Sequence, residues 1–223
     1  MAEIAGEPML MHVIRRAEYS EMLDMIVIAT SLSQDDDTVE EFCIKKNISF
    51  FRGSLNDVLD RYYQAAQYFG ADIVVRLTAD CPLLDPKIID KVINVFLHGS
   101  YDYVSNCRLE ATYPDGLDTE VFWFQVLKNA WQNATLKSER EHVTPFIYNH
   151  PELFSLGNVR NAVDLSSHRW TVDELRDLEF VKKIYEYFKN RPFGMHDILD
   201  LLNSNPNLLS INNMITRDEG YRI

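Results

Sequence analysis

No GxxxxGK(S/T) loop, no GxSxG elbow, no HExxH pair and no CxxC pair occurs anywhere in the chain. These absences exclude P-loop nucleotide hydrolysis, α/β-hydrolase chemistry and zinc sites built on those patterns. Cysteine is scarce: Cys43, Cys81 and Cys107 are odd in number and far apart. They read as reduced thiols of a cytoplasmic protein, not as a disulfide framework. No apolar run approaches the roughly 18 residues that a membrane span requires. The opening MAEIAGEPML lacks the basic start and long apolar core of a secretion signal. Basic residues are in the minority, 22 Lys and Arg against 34 Asp and Glu, for a formal net charge of -12. Such a surface repels nucleic-acid backbones and anionic membranes, so neither is expected as a partner. A small anionic ligand needs only a local basic or metal-bearing pocket and stays compatible.

What is present is an ordinary globular composition, 46% hydrophobic and 25% charged over 223 residues, enough for one domain with a real core. Helical and strand periods alternate. Glu7 to Tyr19 puts Met9, Leu10, Val13, Ile14 and Ala17 on one helical face. Short apolar strands are predicted at 25–29, 48–51, 72–77 and 101–105, with helices at 35–46, 56–69 and 86–98 between them. That rhythm implies parallel βαβ units in a wound sheet. The second half changes pace. A strand is expected at 117–122, a helix at 124–132, and a helix at 137–148 interrupted by Pro145. A strand at 153–159 follows. The strongest amphipathic helix is 173–188, with Leu175, Leu178, Val181, Ile184, Tyr185 and Phe188 on its core side. A last helix runs from Met195 to about Asn203.

Four stretches carry candidate chemistry. In RLTADCPLLDP (76–86) an apolar strand, expected to be covered on both faces, ends at an acid, Asp80. The carboxyl end of such a strand is where open α/β sheets bind ligands. Asp85 before Pro86 is explained by helix capping; Asp80 is not. In RGSLNDVLDRY (52–62) the Arg52-Gly53-Ser54 turn joins a strand to a helix, where backbone N–H groups hold anions or where Asn56 or Asp57 simply caps. In YPDGLDTEVF (113–122), Asp118 and Glu120 stand two apart on a strand and share a side, either a pocket or a solvated surface. In RWTVDELRDL (169–178), Thr171 or Asp173 can cap the strong helix. His142 in SEREHVTPF is a ligand, a base or a structural residue. Asp80 and Asp173 would suit a hard cation, although no spacing rule links positions so far apart.

Taken in order, AGEPMLMHVIRR, RGSLNDVLDRYYQAA, VVRLTADCPLLDP, YPDGLDTEVF, SEREHVTPFIY, RWTVDELRDL and NNMITRDEGYRI resemble the cytidylyltransferase-like family. That family includes spore-coat polysaccharide biosynthesis proteins and sialic-acid-type CMP-sugar synthetases. The resemblance spans nearly the whole chain. It implies a GT-A-like three-layer αβα fold with a mostly parallel sheet, in one domain over residues 1–223. It also implies attack of a sugar hydroxyl on the α-phosphate of a nucleoside triphosphate, CTP in the first place, with loss of pyrophosphate. Asp80 and Asp173 then resemble the catalytic carboxylates that hold Mg²⁺. Thr30, Ser31, Arg52, Gly53 and Ser54 resemble nucleotide contacts, and Asp118, Glu120 and Arg140 sugar contacts. A homodimer is compatible with it. A glycosyltransferase using a ready-made nucleotide sugar, or a non-catalytic nucleotide- or sugar-binding subunit, would use the same features. One departure stands out. Family members usually begin with a strand and a glycine- and arginine-bearing loop ahead of the segment matching EIAGEPML, whereas this sequence starts inside that region. The expectation is therefore a sheet without its first strand and a site without its main triphosphate loop.

Overall fold

Burial of the apolar runs fixes the order of elements. The structure, a computed structural model, describes residues 2–189 and 191–212; all of the NNMITRDEGYRI stretch after Asn212 lies outside them. A short hairpin pairs Glu3–Ile4 (β1) with Glu7–Pro8 (β2). Its turn needs positive φ at Ala5 and Gly6, 49° and 82°, which glycine takes without a Cβ penalty. Helix α1 (Met9–Glu18) follows directly, with Pro8 at its N-cap. Strands and helices then alternate: β3 (Val27–Ser31), α2 (Asp37–Lys46), β4 (Ser49–Gly53), α3 (Val58–Phe69), β5 (Ile73–Arg76), α4 (Pro86–His98) and β6 (Tyr103–Ser105). After a long loop come β7 (Glu120–Trp123), α5 (Phe124–Asn133), α6 (Lys137–His142), α7 (Pro145–Tyr148), β8 (Leu156–Asn158), α8 (Leu175–Phe188) and α9 (Met195–Ser204).

Apart from the β1–β2 hairpin, the described strands form two separate ladders. β3 pairs in parallel with β4, and a second sheet has the order β5-β7-β6-β8. β6 and β8 are parallel, but β7 runs antiparallel to both β5 and β6. The alternating pattern does not foresee this reversal, because the loop between β6 and β7 turns the chain before it enters between β5 and β6. The side chain of Asn106 governs the entry: its Nδ2 donates to Leu117 O at 2.8 Å, and its Oδ1 accepts from Thr119 N at 2.8 Å. These bonds occupy backbone groups that a ladder would otherwise use, so the strand expected from Leu117 starts at Glu120.

Helices cover both faces. On one, Leu10 and Ile14 of α1 pack on Phe42, Cys43, Ile28 and Phe50, while Val13 packs on Cys81, Leu84 and Leu77. On the other, Leu59 and Tyr63 of α3 pack with Tyr103, Phe122 and Val74, and Tyr68 meets Phe51. The main core gathers Ile89, Val92 and Phe96 of α4 with Phe180, Val181 and Ile184 of α8 around Trp170. Each such buried side chain contributes about 1.5–3 kcal/mol. Leu175 departs from the predicted face, being 85% exposed. The first turn of α8 turns a buried acid, Asp177, inward, and that takes the inner position. β5 also differs from expectation: Ile73, Val74 and Val75 are only half-buried, because one edge of the strand has no neighbour among the described residues.

Candidate active site

Three loops that are remote in sequence close on one another beyond the carboxyl end of β5. The carbonyl of Asp80 accepts the Val172 N–H at 2.8 Å and the Thr171 hydroxyl at 3.4 Å. Asp115 exchanges backbone bonds with the next loop: its N–H donates to His168 O at 2.9 Å, and its carbonyl accepts from Trp170 N at 2.6 Å. Gly116 makes this approach possible. Its φ is +108°, and a Cβ there would stand 2.6 Å from Thr171 N. Asp80 and Asp173 therefore occupy adjoining segments. Asp118 belongs to the same neighbourhood: burial pushes the Cys81 thiol well up, and the charges of Asp80 and Asp118 add to it. The Cys81 thiol contacts the Thr78 hydroxyl at 3.2 Å and donates to Asp80 Oδ1 at 3.4 Å.

Asp173 is held from below. Arg169 Nη2 donates to its Oδ2 at 2.6 Å, and the Asp173 side chain is 55% exposed. The same guanidinium reaches Asp177 at 3.1 Å and Asp115 at 3.4 Å, so one arginine fixes both loops. Asp177 in turn accepts the backbone N–H groups of Asp173 and Glu174 at 3.2 and 3.1 Å. The N-cap of α8 is Glu174, not Thr171 or Asp173, and Asp177, the third residue of the helix, reaches back to its N–H as a capping box. Burial would raise the Asp177 carboxyl, but its bonds from Arg169 and Asn212 outweigh this and hold it below the ordinary range. For a hard cation the donor set offers carboxylate oxygens on Asp80 and Asp173, and no cluster of three protein ligands occurs among the described residues. Mg²⁺ is commonly held by one or two carboxylates plus substrate phosphates, so this set fits a cation shared with a nucleotide and does not form a cage.

The other predicted residues divide. Glu120 is 1% exposed and ion-pairs with Arg76. Tyr103 donates to it at 2.6 Å, and Arg108 lies 3.5 Å away. Burial would raise this carboxyl, yet the two guanidiniums, with the Thr144 and Tyr103 hydroxyls, hold it below its ordinary value. Its oxygens serve the interior, whereas the sequence pattern left a pocket or a surface as its setting. Arg140 grips Asp57 through Nε and Nη2, at 3.0 and 2.6 Å, and donates to Trp131 O at 2.7 Å, tying α6 to α3. Arg52 braces the ends of β3 and β4. Its Nε and Nη2 donate to Ser31 O and Ser33 O at 2.8 Å, and it pairs with Asp37 and Glu40. Gly53 lies against Arg61, and the Ser54 hydroxyl accepts Asp57 N at 3.0 Å. Thr30 and Ser31 are buried at the end of β3, where Asp36 accepts Ser31 N at 2.9 Å.

Sequence reasoning missed Arg76, Arg108 and Arg169. Arg76 and Arg169 open two of the stretches singled out above, RLTADCPLLDP and RWTVDELRDL, but were given no role there, and Arg108 lies in a loop outside all of them. The one available signal was Arg76 inside an otherwise apolar strand, since an arginine at a buried position needs an acid partner. Val143 was missed too. This fully buried, β-branched residue adopts φ 74° and ψ −55°, and the Thr144 N–H closes the turn on His142 O at 2.9 Å. That is the strained γ-turn, and it separates α6 from α7 and turns Thr144 toward Glu120.

Comparison with solved structures first establishes the class. A cytidylyltransferase from Leptospira borgpetersenii serovar Hardjo-bovis superimposes with a TM-score of 0.87 at 33% identity, over 92% of this chain and 87% of that one. The fold is thus the α/β nucleotidyltransferase fold. The sequence profile described as cytidylyltransferase matches residues 1–212, and the chain belongs to the cytidylyltransferase family. Spore coat polysaccharide biosynthesis protein SpsF of Bacillus subtilis is 34% identical over 204 residues, 88% of this chain and 82% of that protein. The 8-amino-3,8-dideoxy-manno-octulosonate cytidylyltransferase of Shewanella frigidimarina is 34% identical over 99 residues, 43% of this chain and 40% of that protein.

Proposed function

We propose that this protein transfers a cytidylyl group from CTP to a hydroxyl of an acidic sugar destined for a surface polysaccharide. The reading rests on the convergence of the Asp80 and Asp173 segments at the carboxyl end of β5, joined by the 2.8 Å bond from Val172 N to Asp80 O. Family membership and the names of the spore-coat and octulosonate relatives support the nucleotide and the sugar class. In the reaction the sugar hydroxyl oxygen bonds to the α-phosphorus and loses its proton. The bond from that phosphorus to the bridging oxygen breaks, and pyrophosphate leaves with the electron pair. Asp80 and Asp173 would hold Mg²⁺, which when bound offsets charge on the phosphate oxygens. Arg169 sets the position of Asp173, and Asp118, whose charge acts on the neighbouring Cys81 thiol, would accept from a sugar hydroxyl.

The test is pyrophosphate release from CTP and 3-deoxy-manno-octulosonate, with and without Mg²⁺. Turnover should require the metal. Asp80→Asn should lower kcat by about 100-fold or more, on the scale of losing one preorganised charge-stabilising group, with the circular dichroism spectrum unchanged. Metal-independent turnover, or full activity of the variant, would remove the metal assignment. Consumption of a CMP-sugar with no use of CTP would favour a glycosyltransferase instead.

A further inference from the structure

The loop that carries Asp80 is gripped from outside at alternate carbonyls. Thr78 to Leu84 folds as two tight turns, with Cys81 N–H donating to Thr78 O at 3.4 Å and Leu84 N–H to Cys81 O at 3.3 Å. Both bonds are long, so the turns hold themselves weakly. Residues remote in sequence do the rest. Asp80 O accepts Val172 N–H, Pro82 O accepts the Tyr185 hydroxyl at 2.7 Å, and Leu84 O accepts Nε of Arg16. Pro82 is buried and has no N–H, so its carbonyl is its one backbone hydrogen-bonding group, and the phenol satisfies it. Tyr185 is itself fixed. Its ring lies 4.3 Å from that of His12 and meets Phe193 edge-on at 5.3 Å. Arg16 donates to Phe193 O at 2.9 Å and lies 4.3 Å over the Phe193 ring. Burial raises the Tyr185 phenol above its ordinary value, and the Arg16 charge offsets this only in part, so the hydroxyl keeps the proton it donates.

Helix α8 therefore meets the Asp80 loop twice. Val172, shortly ahead of its N-terminus, bonds Asp80 O, and Tyr185 in its last turn bonds Pro82 O. Asp173 lies beside the first of these contacts. The Asp80 side chain accepts the Cys81 thiol at 3.4 Å, and a thiol is a weak donor, so the backbone of the loop decides where the carboxylate stands. We propose that Tyr185 is a positioning residue for the cation site: its bond to Pro82 O fixes the loop after Asp80 and so sets the Asp80 carboxylate relative to Asp173. The inference rests on the reading of Asp80 and Asp173 as holders of Mg²⁺. Tyr185 is buried and acts through Pro82, not on the nucleotide. Without the hydroxyl, the buried Pro82 carbonyl loses its partner and the loop must shift to find water. Two carboxylates that share one cation with a nucleotide tolerate little such movement, because the protein supplies few of the ligands.

Tyr185→Phe keeps the ring against His12 and Phe193 and removes only the hydroxyl. The probe is Mn²⁺, which suits the same oxygen ligands as Mg²⁺, and its binding in the presence of CTP is read by electron paramagnetic resonance, with no turnover required. Tyr185→Phe should raise the Mn²⁺ Kd about tenfold, on the scale of one buried hydrogen bond left unmade. In the chain without metal, the amides of Cys81 and Leu84 should exchange faster than in the parent, and those of β6 and β7 should not. Ile184→Ala, fully buried on the same helix, is the control: it weakens the core and should leave the Mn²⁺ Kd unchanged. An unchanged Kd in Tyr185→Phe, or an equal rise in Ile184→Ala, would overturn the proposal and leave the cation reading standing. A Tyr185→Phe chain that no longer folds would overturn it too, because the bond would then belong to the fold and not to the site. A parent that binds no Mn²⁺ with CTP would overturn both the cation reading and this inference.

Discussion

Glu120 shows how a side chain's role is set by what surrounds it. Two guanidiniums and a phenol converge on a carboxylate that water scarcely reaches. Removing its charge leaves Arg76 and Arg108 without this counter-ion, a loss that typically costs about 3–5 kcal/mol. Glu120→Gln should therefore lower the stability of the fold by that order in urea unfolding. The pH dependence has a definite sign. The folded carboxyl titrates below its ordinary 4.5, so its stabilisation is complete above that value and is lost as pH falls through the depressed folded value. As pH falls below about 4.5, where the unfolded carboxyl takes up its proton and the folded one does not, the parent should lose stability more steeply than Glu120→Gln. Equal slopes would show that Glu120 carries no stabilising charge. None of this was legible in the spacing of Asp118 and Glu120, because a strand pattern gives the side on which a residue stands and not what lies across from it.

At the scale of elements, the boundaries read from periodicity lie close to those observed, since local propensity and capping act over a few residues. α4 begins where Asp85-Pro86 predicts, with Asp85 accepting Lys87 N at 2.9 Å. Long-range partners moved other features. The start of β7 was displaced by Asn106, and the cap and inner face of α8 were rewritten by Arg169 and Asp177. Leu175→Ala should consequently change stability by less than about 0.5 kcal/mol, the usual range for surface positions. Ile184→Ala, fully buried on the same helix, should cost about 2–5 kcal/mol in the same unfolding measurement. Gly116→Ala puts a Cβ into the Trp170–Thr171 backbone at positive φ. It should destabilise by more than the roughly 1 kcal/mol of an ordinary glycine replacement, because both strain and clash act. It should also raise the KM for CTP by separating the Asp80 and Asp173 segments; an unchanged KM would detach the turn from the site.

Across the described residues, α1 and α3 tie the β3–β4 ladder to the β5–β8 sheet, and stability should be correspondingly uneven. The cluster on β3, β4 and α2 is small, built on Leu10, Ile14, Phe42 and Cys43, while the core on β5–β8 is large and continuous. Regions with few buried contacts open at lower free energy. Native-state exchange in low denaturant should show β3, β4 and α2 opening as one unit before β6, β7 and α4. A single common opening energy for all of them would contradict this partition.

Much was settled by the sequence alone. The α/β class, most element positions, the helix cap at Asp85 and the family were legible because they depend on periodicity, propensity and contiguous motifs, whereas the choice of Asp57 over Asn56 as the cap of α3 was not. The tertiary structure alone decided which motifs meet, which acids face inward and where the sheet is interrupted. Those outcomes depend on contacts between residues such as Asp80 and Val172, or Arg169 and Asp115, whose pairing is fixed by packing and leaves no mark in local order.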